Sequence, residues 1–209
     1  MRIILARHGE TEWNVAEIFR GRIDVELSEK GLKQAELLAG YLRDFKIEAI
    51  YSSALKRALR TAQAISQYHR LNVEISTGLM DLDFGEWEGL SRREVQEKYK
   101  ESYSEWLNYP EKTRMPKGES LNDVRERAIA LIGEVTVKHE GTVVLVSHRV
   151  VTKILICALL GLDNSHFWNI EHDTCGMTTF NYRDGQFILT EHNNTSCLKP
   201  IQDKRLSDF

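Results

Sequence analysis

Cysteine is scarce. Cys157, Cys175 and Cys197 are scattered, form no CxxC pair, and give neither a disulfide framework nor a zinc-ligand spacing. A reducing cytoplasm is therefore the expected location, with Cys157 read as a core residue. Long apolar runs are also missing. The longest, Val150 to Leu162, is interrupted by Thr152 and Lys153 and is too short to span a bilayer. Met1-Arg2 leads at once into a strand-like run, without the apolar core of a secretory leader. No charge sign is in excess: 28 Lys and Arg against 31 Asp and Glu leave a formal charge of −3. That balance gives no general attraction to nucleic acid or to an anionic membrane, so any anion site must be built locally. No Walker motif, GxGxxG or HExxH occurs, so neither a nucleotide cofactor nor a catalytic metal is expected. Internal repeats and low-complexity linkers are absent as well.

What is present is the pattern of one ordinary folded domain. Of 209 residues, 42% are hydrophobic and 28% charged, enough for a sizeable core. Strand-like runs recur near 2–6, 47–51, 73–76, 142–147, 177–182 and 186–191, with helical spacings between most of them. Ser28 reads as the N-cap of a helix carrying Leu32, Ala35, Leu38 and Leu42. Further helices are expected over Ala54 to Tyr68, Ser120 to His139 and Val150 to Leu160. Alternation of strand and helix implies an α/β fold with a mostly parallel sheet. Asp184-Gly185 signals a hairpin, hence one antiparallel edge, and the apolar hairpin near 177–191 offers a surface for a homodimer. The expected organisation is a single domain over 1–198, with 100–118 an inserted loop or lid and 199–209 a tail.

Chemistry concentrates where strands end. Arg7-His8-Gly9-Glu10 follows Ile3-Ile4-Leu5-Ala6, and open α/β sheets place ligands at the carboxyl ends of strands. His8 supplies a nucleophilic ring and Arg7 a planar fork suited to phosphate. A second histidine, His148, ends Val143-Val144-Leu145-Val146-Ser147, and as an imidazolium it would donate to an equatorial phosphate oxygen. Arg149 and the residues after it begin a helix whose amides face the same place. Arg57, at the start of another helix, is a second clamp candidate, although on its own segment it reads as part of a solvated helix face. Asn14 can donate an amide hydrogen bond or simply form a turn. The proton donor is sought in Leu79 to Gly89, where Asp81, Asp83, Glu86 and Glu88 lie among apolar and aromatic residues, and burial would raise a carboxyl pKa. Spacing alone does not choose among the four. His69, His139 and His172 read as surface residues.

These residues resemble the histidine phosphatase superfamily, in the branch that includes cofactor-dependent phosphoglycerate mutases and small phosphatases. The resemblance runs from about residue 2 to residue 192 in five ordered blocks: Arg7 to Thr11 with Trp13-Asn14, Ser52-Ser53 with Arg57 and Thr61, Phe84 to Gly89, Gly118-Glu119-Ser120, and Ser147-His148. It implies a three-layer α/β/α sandwich and a covalent phosphohistidine on His8. It implies a phosphate pocket of Arg7, Asn14, Arg57 and His148, with no metal and no cofactor. The family's proton donor is usually a glutamate, and its position is Asp81 here, one methylene shorter; Asp83 and Glu86 are the alternatives. Arg20, Gly21, Phe84 and Arg149 are expected against the substrate, Arg149 standing where many members have glycine. Phe84 stands where phosphoserine phosphatases of the family would carry histidine, and with Trp87, Trp106 and Trp168 it suits a less polar leaving group. The expected activity is metal-independent hydrolysis of a small phosphorylated metabolite, such as α-ribazole 5′-phosphate or phosphoserine. A cofactor-dependent phosphoglycerate mutase is the alternative, disfavoured because only the 100–118 segment is available to close the pocket. A silent phospholigand-binding protein is opposed by the intact His8, Arg7, Arg57 and His148.

Overall fold

Each central strand carries apolar side chains on both faces, as a sheet covered on both sides requires. In β1 (Arg2–Arg7), Ile3 and Leu5 enter one core and Ile4 and Ala6 the other. The computed structural model describes residues 1–201; residues 202–209, most of the expected tail, lie outside the described residues. After β1 the order is α1 (Glu12–Val15), α2 (Glu29–Leu42), β2 (Ile47–Ser52), α3 (Lys56–His69), β3 (Val73–Ile75), α4 (Arg92–Lys98) and α5 (Lys100–Asn108). Then follow α6 (Leu121–Lys138), β4 (Thr142–Ser147), α7 (Arg149–Leu159), β5 (Met177–Arg183) and β6 (Gln186–Asn194).

The six strands form one sheet in the order β3-β2-β4-β1-β5-β6. The first four are mutually parallel, and the β5–β6 hairpin closes one side antiparallel. Helices α2 and α3 cover one face, with Leu38, Leu42, Ala58 and Ile65 packed on Ile4, Ile50 and Val144. Helices α6 and α7, extended by α4 and α5, cover the other, with Val124, Ala128, Val151 and Ile154 against Leu5, Val143 and Leu145. The result is the three-layer α/β/α sandwich. Among the described residues no helix is long and apolar enough to cross a membrane.

Register fixes the geometry of the site. Strands β1 and β4 are neighbours, and Arg7 stands opposite Ser147. The next residue of each strand is a histidine, so His8 and His148 emerge side by side at the carboxyl ends.

Three local readings differ from the sequence expectations. Half of the segment 100–118 is helix α5, which buries Tyr103 and Trp106. Its end returns to the loop before α4: the Pro116 carbonyl accepts from the Glu86 amide at 2.9 Å, and a Cβ at Gly85 would stand 2.0 Å from that carbonyl. Helix α4 went unread, although Ser91 and Glu94 form a capping box at its start. His139 and His172 are buried, not surface residues. His139 ends α6 against the sheet, where Glu48 holds its Nδ1 at 2.7 Å and the Tyr51 hydroxyl faces its Nε2 at 2.9 Å. His172 lies next to Thr178 of β5, with 3.1 Å between its Nε2 and the hydroxyl.

Candidate active site

The two histidine rings lie 5.1 Å apart, and their hydrogen bonds give them opposite tautomers. His8 Nδ1 is 2.6 Å from the Gly9 carbonyl, which can only accept, so Nδ1 carries the proton and Nε2 keeps a lone pair. Arg57 Nε donates to His148 Nδ1 at 3.2 Å, so that nitrogen accepts and the proton sits on Nε2. His148 Nε2 is buried with no hydrogen-bond partner. One ring thus offers an electron pair and its neighbour an N–H. Burial holds the pKa of both rings well below the usual histidine value, and the surrounding arginines add to the effect. His148 in this arrangement donates as the neutral ring, not as the imidazolium expected from sequence, because Arg57 occupies its other nitrogen.

Arg57 is wholly buried, where its own segment taken alone suggests a solvated helix face. It is also committed to protein partners. Besides His148, its Nη1 donates to the Ile23 carbonyl at 3.0 Å, and its Nη2 to the Gly21 carbonyl at 2.7 Å and to Asp81 Oδ2 at 3.1 Å. Arg57 therefore presents charge and holds its neighbours in place, with few donors left for an open fork. Gly21, expected against the substrate, uses its carbonyl on Arg57. Its φ of +49° and a Glu88 oxygen 1.9 Å from where a Cβ would stand explain the glycine. Arg7 is buried and donates through Nη1 to the His172 carbonyl at 2.5 Å. Asn14 is buried beside them. Its Oδ1 caps α1 by accepting from the Thr11 amide and hydroxyl, both at 2.9 Å, so its amide nitrogen remains the group able to donate.

The four carboxylates separate by surroundings. Asp81 is buried, with Oδ2 on Arg57 and 3.6 Å from His148 Nδ1. Asp83 faces Arg22 at 3.4 Å and caps the Gly85 amide. Glu86 pairs with the exposed Lys117 at 2.7 Å. Glu88 accepts from the Arg22 and Phe84 amides, and partial burial raises its pKa. Asp81 alone of the four touches the histidine–arginine cluster. Its backbone is gripped from outside by a residue the sequence reading missed. Arg127 of α6 donates to the carbonyls of Asp81 and Gly78 at 3.1 Å each, and to that of Thr77 at 3.2 Å. Glu119 holds Arg127 at 3.1 Å and accepts from the Asp83 amide at 3.1 Å. Arg127 lies on an amphipathic helix where an arginine looks like solvated surface, and its partners come from a loop more than forty residues earlier.

A narrow cleft lies beside Asp81, lined by Ile18, Phe19, Arg20, Phe84, Arg149 and Val150. Arg20, Phe84 and Arg149 thus meet at one place. The tryptophans do not line it. Trp87 and Trp106 are buried behind Phe84, with Trp106 6.2 Å from its ring, and Trp168 packs on Trp106 at 5.4 Å. Among the described residues no group of three or more His, Cys, Asp and Glu side chains is placed to hold a metal ion.

Comparison with known proteins gives consistent relatives. The model of the histidine phosphatase superfamily (branch 1) matches residues 3–195. Phosphoserine phosphatase 1 of Hydrogenobacter thermophilus is 38% identical over 196 residues, covering 93% of each chain. The adenosylcobalamin/α-ribazole phosphatase of Escherichia coli is 29% identical over 83% of this chain and 86% of its own. The structure of Bacillus stearothermophilus YhfR superposes with a TM-score of 0.90 at 29% identity, over 95% of this chain and 99% of the other.

Proposed function

The chain belongs to the histidine phosphatase superfamily, and on that premise we propose that it is a metal-independent phosphomonoesterase that carries the phosphoryl group on His8. The observation that supports this most is the pair of opposed tautomers at the ends of β1 and β4. The phosphate lies between them, with Arg7, the Asn14 amide and His148 Nε2–H on its oxygens and the charge of Arg57 behind. The His8 Nε2 lone pair attacks phosphorus in line as the ester P–O bond breaks, and Asp81 gives the leaving oxygen its proton. Water then attacks the phosphohistidine, Asp81 takes a proton from it, and orthophosphate leaves with His8 restored. The fixed guanidinium groups offset the charge that a metal offsets in other phosphoryl-transfer sites.

Phosphoserine and α-ribazole 5′-phosphate are the first substrates to test, since relatives bear those names. The three free, buried thiols suit a reducing compartment and support a cytoplasmic location. Strand β6 ends the sheet, and a homodimer would use that edge.

The test is phosphate release in EDTA from these two esters, 3-phosphoglycerate and p-nitrophenyl phosphate. Turnover that survives EDTA and disappears in His8→Ala is expected, with an acid-labile, base-stable phosphoprotein trapped by rapid quench. Dependence on added metal, or full activity in His8→Ala, rejects the proposal. Isomerisation of 3-phosphoglycerate in the presence of 2,3-bisphosphoglycerate, without phosphate release, selects the mutase instead.

A further inference from the structure

We propose that Thr178 is a positioning residue for phosphate binding: with His172 and His192 on either side of its hydroxyl, it holds the carbonyl that aims the Arg7 guanidinium at the substrate. The proposal deepens the phosphatase reading and rests on it for turnover, though not for binding of orthophosphate.

Arg7 is the last residue of β1, and it lies against the segment 172–176 that leads into β5. Main-chain bonds tie the two together: the Arg7 amide donates to the Gly176 carbonyl at 3.2 Å, and the Cys175 amide donates to the Arg7 carbonyl at 3.1 Å. The guanidinium turns back to the same segment, with Nη1 donating to the His172 carbonyl at 2.5 Å. A guanidinium is planar, so a bond at one Nη constrains the directions in which its other donors point. The aim of the phosphate clamp therefore depends on where the His172 carbonyl stands. Residues 172–176 form neither helix nor strand, so side chains must place that carbonyl.

A β-bulge supplies the anchor. Between the pairs Met177–Asn194 and Thr179–Glu191, β5 contributes Thr178 while β6 contributes both His192 and Asn193. Bulges of this kind re-aim groups beside active sites. Here the bulge brings two groups of β6 to one hydroxyl: His192 Nδ1 is 3.1 Å from Thr178 Oγ1, and the Asn193 amide donates to that oxygen at 3.2 Å. His172 Nε2 approaches it from the other side at 3.1 Å. A hydroxyl has one proton and two lone pairs, and three partners use all of them. Oγ1 accepts from Asn193, donates to one histidine and accepts from the other. Thr178 and His172 are buried, so no bulk water replaces a lost bond. Asn193, at a φ of +47° that asparagine tolerates, fastens the next residue as well. Its Oδ1 accepts from the Asp173 amide at 2.9 Å, and its Nδ2 donates to the Asp173 carboxylate at 3.0 Å.

The experiment measures kcat/KM on p-nitrophenyl phosphate and, by calorimetry, the affinity for orthophosphate. Thr178→Val keeps the branched shape and the strand preference and removes the hydroxyl. It should lower kcat/KM and weaken orthophosphate binding by about tenfold each, the scale of a misplaced charged contact. Thr178→Ser, which keeps the hydroxyl, should recover most of that loss. Arg7→Met supplies the deciding background: there Thr178→Val should change kcat/KM by less than about twofold, because the group it aims is gone. His192 reaches solvent, and His192→Phe leaves the hydroxyl in place. It should cost about threefold with the same dependence on Arg7, and it takes over the test if Thr178→Val does not fold. Wild-type values in Thr178→Val, a loss that Thr178→Ser does not recover, or a loss that persists at full size on Arg7→Met overturns the positioning role even if the ester is hydrolysed. No hydrolysis, with orthophosphate binding that Thr178→Val weakens and Thr178→Ser restores, keeps the role and rejects the phosphatase reading. Absence of both hydrolysis and orthophosphate binding overturns both.

Discussion

His8 and His148 occupy equivalent places on adjacent parallel strands, and one hydrogen bond each makes them different reagents. The Gly9 carbonyl forces a proton onto His8 Nδ1, while Arg57 forces the proton of His148 onto Nε2. Neither partner was legible in the sequence. That both histidines end strands could be read directly, because apolar runs mark strand ends; the tautomers depend on an arginine ninety-one residues away from His148. The proton donor was ambiguous for the same reason. Asp81, Asp83, Glu86 and Glu88 are alike in sequence and separate only when Arg22 and Lys117 draw two of them outward. This gives a prediction at the level of one side chain. Asp81→Asn should lower kcat on alkyl phosphates by about 10²- to 10⁴-fold, the usual scale of general acid catalysis. The loss should be much smaller on p-nitrophenyl phosphate, whose leaving group needs little protonation. Asp83→Asn and Glu86→Gln should stay near wild type on both. Steady-state kinetics on the two ester types decides it: an equal loss on both would remove Asp81 from the role of acid.

The loop from Thr77 to Gly89 has little regular structure, and a shorter acid tolerates little wandering of its backbone. Helix α6 supplies the fixation. Arg127 holds three carbonyls of this loop, and Glu119, just before the helix, holds Arg127 and the Asp83 amide. If this clamp positions Asp81, Arg127→Met should reduce kcat on alkyl phosphates about tenfold with KM nearly unchanged, and Arg127→Lys should recover part of it. On p-nitrophenyl phosphate the reduction should be slight, because that ester does not need the acid. A uniform loss across esters, accompanied by a lower melting temperature, would show a general structural role instead. At this scale the sequence was most legible where elements are periodic: the six strands and helices α2, α3, α6 and α7 fall within a few residues of expectation. Helix α5 was hidden by the turn-forming residues Tyr109, Pro110, Pro116 and Gly118 that follow it, although Tyr99, Tyr103 and Trp106 already stand at helical spacing. Clamps such as Arg127 were not legible at all, since periodicity reports which face is buried and says nothing of what an arginine at its margin reaches.

The molecule as a whole gathers positive charge where its sheet is most buried. Arg7, Arg20, Arg57 and Arg149 surround two buried histidines, and the nearest buried carboxylate is Asp81. A site of this kind disfavours a charged imidazole. Burial keeps His8 and His148 neutral in the folded state well below the ordinary histidine range, whereas the unfolded chain takes up both protons near pH 6.5. Between that pH and the depressed folded values the unfolded state binds more protons, so stability falls as pH falls. The slope is about 1 kcal/mol per pH unit for each histidine. Above about pH 7.5 neither state is protonated and the contribution is constant. Carboxylates held below their usual range, such as Glu48, Glu74, Asp123 and Asp163, add an acid sensitivity of the same sign at lower pH, leaving the interval from about pH 6.5 to 5.5 to the histidines. Urea unfolding followed across that interval should therefore show falling stability for the wild type and a shallower slope for His148→Asn, with His8 and the partly buried His192, whose pKa burial also lowers, supplying what remains. Orthophosphate should offset the loss, because an anion that binds only the folded site stabilises it by mass action. A wild-type stability flat from pH 7.5 to 5.5 would mean that the two rings take up protons in place, and the neutral pair on which the phosphohistidine reading depends would fall with it.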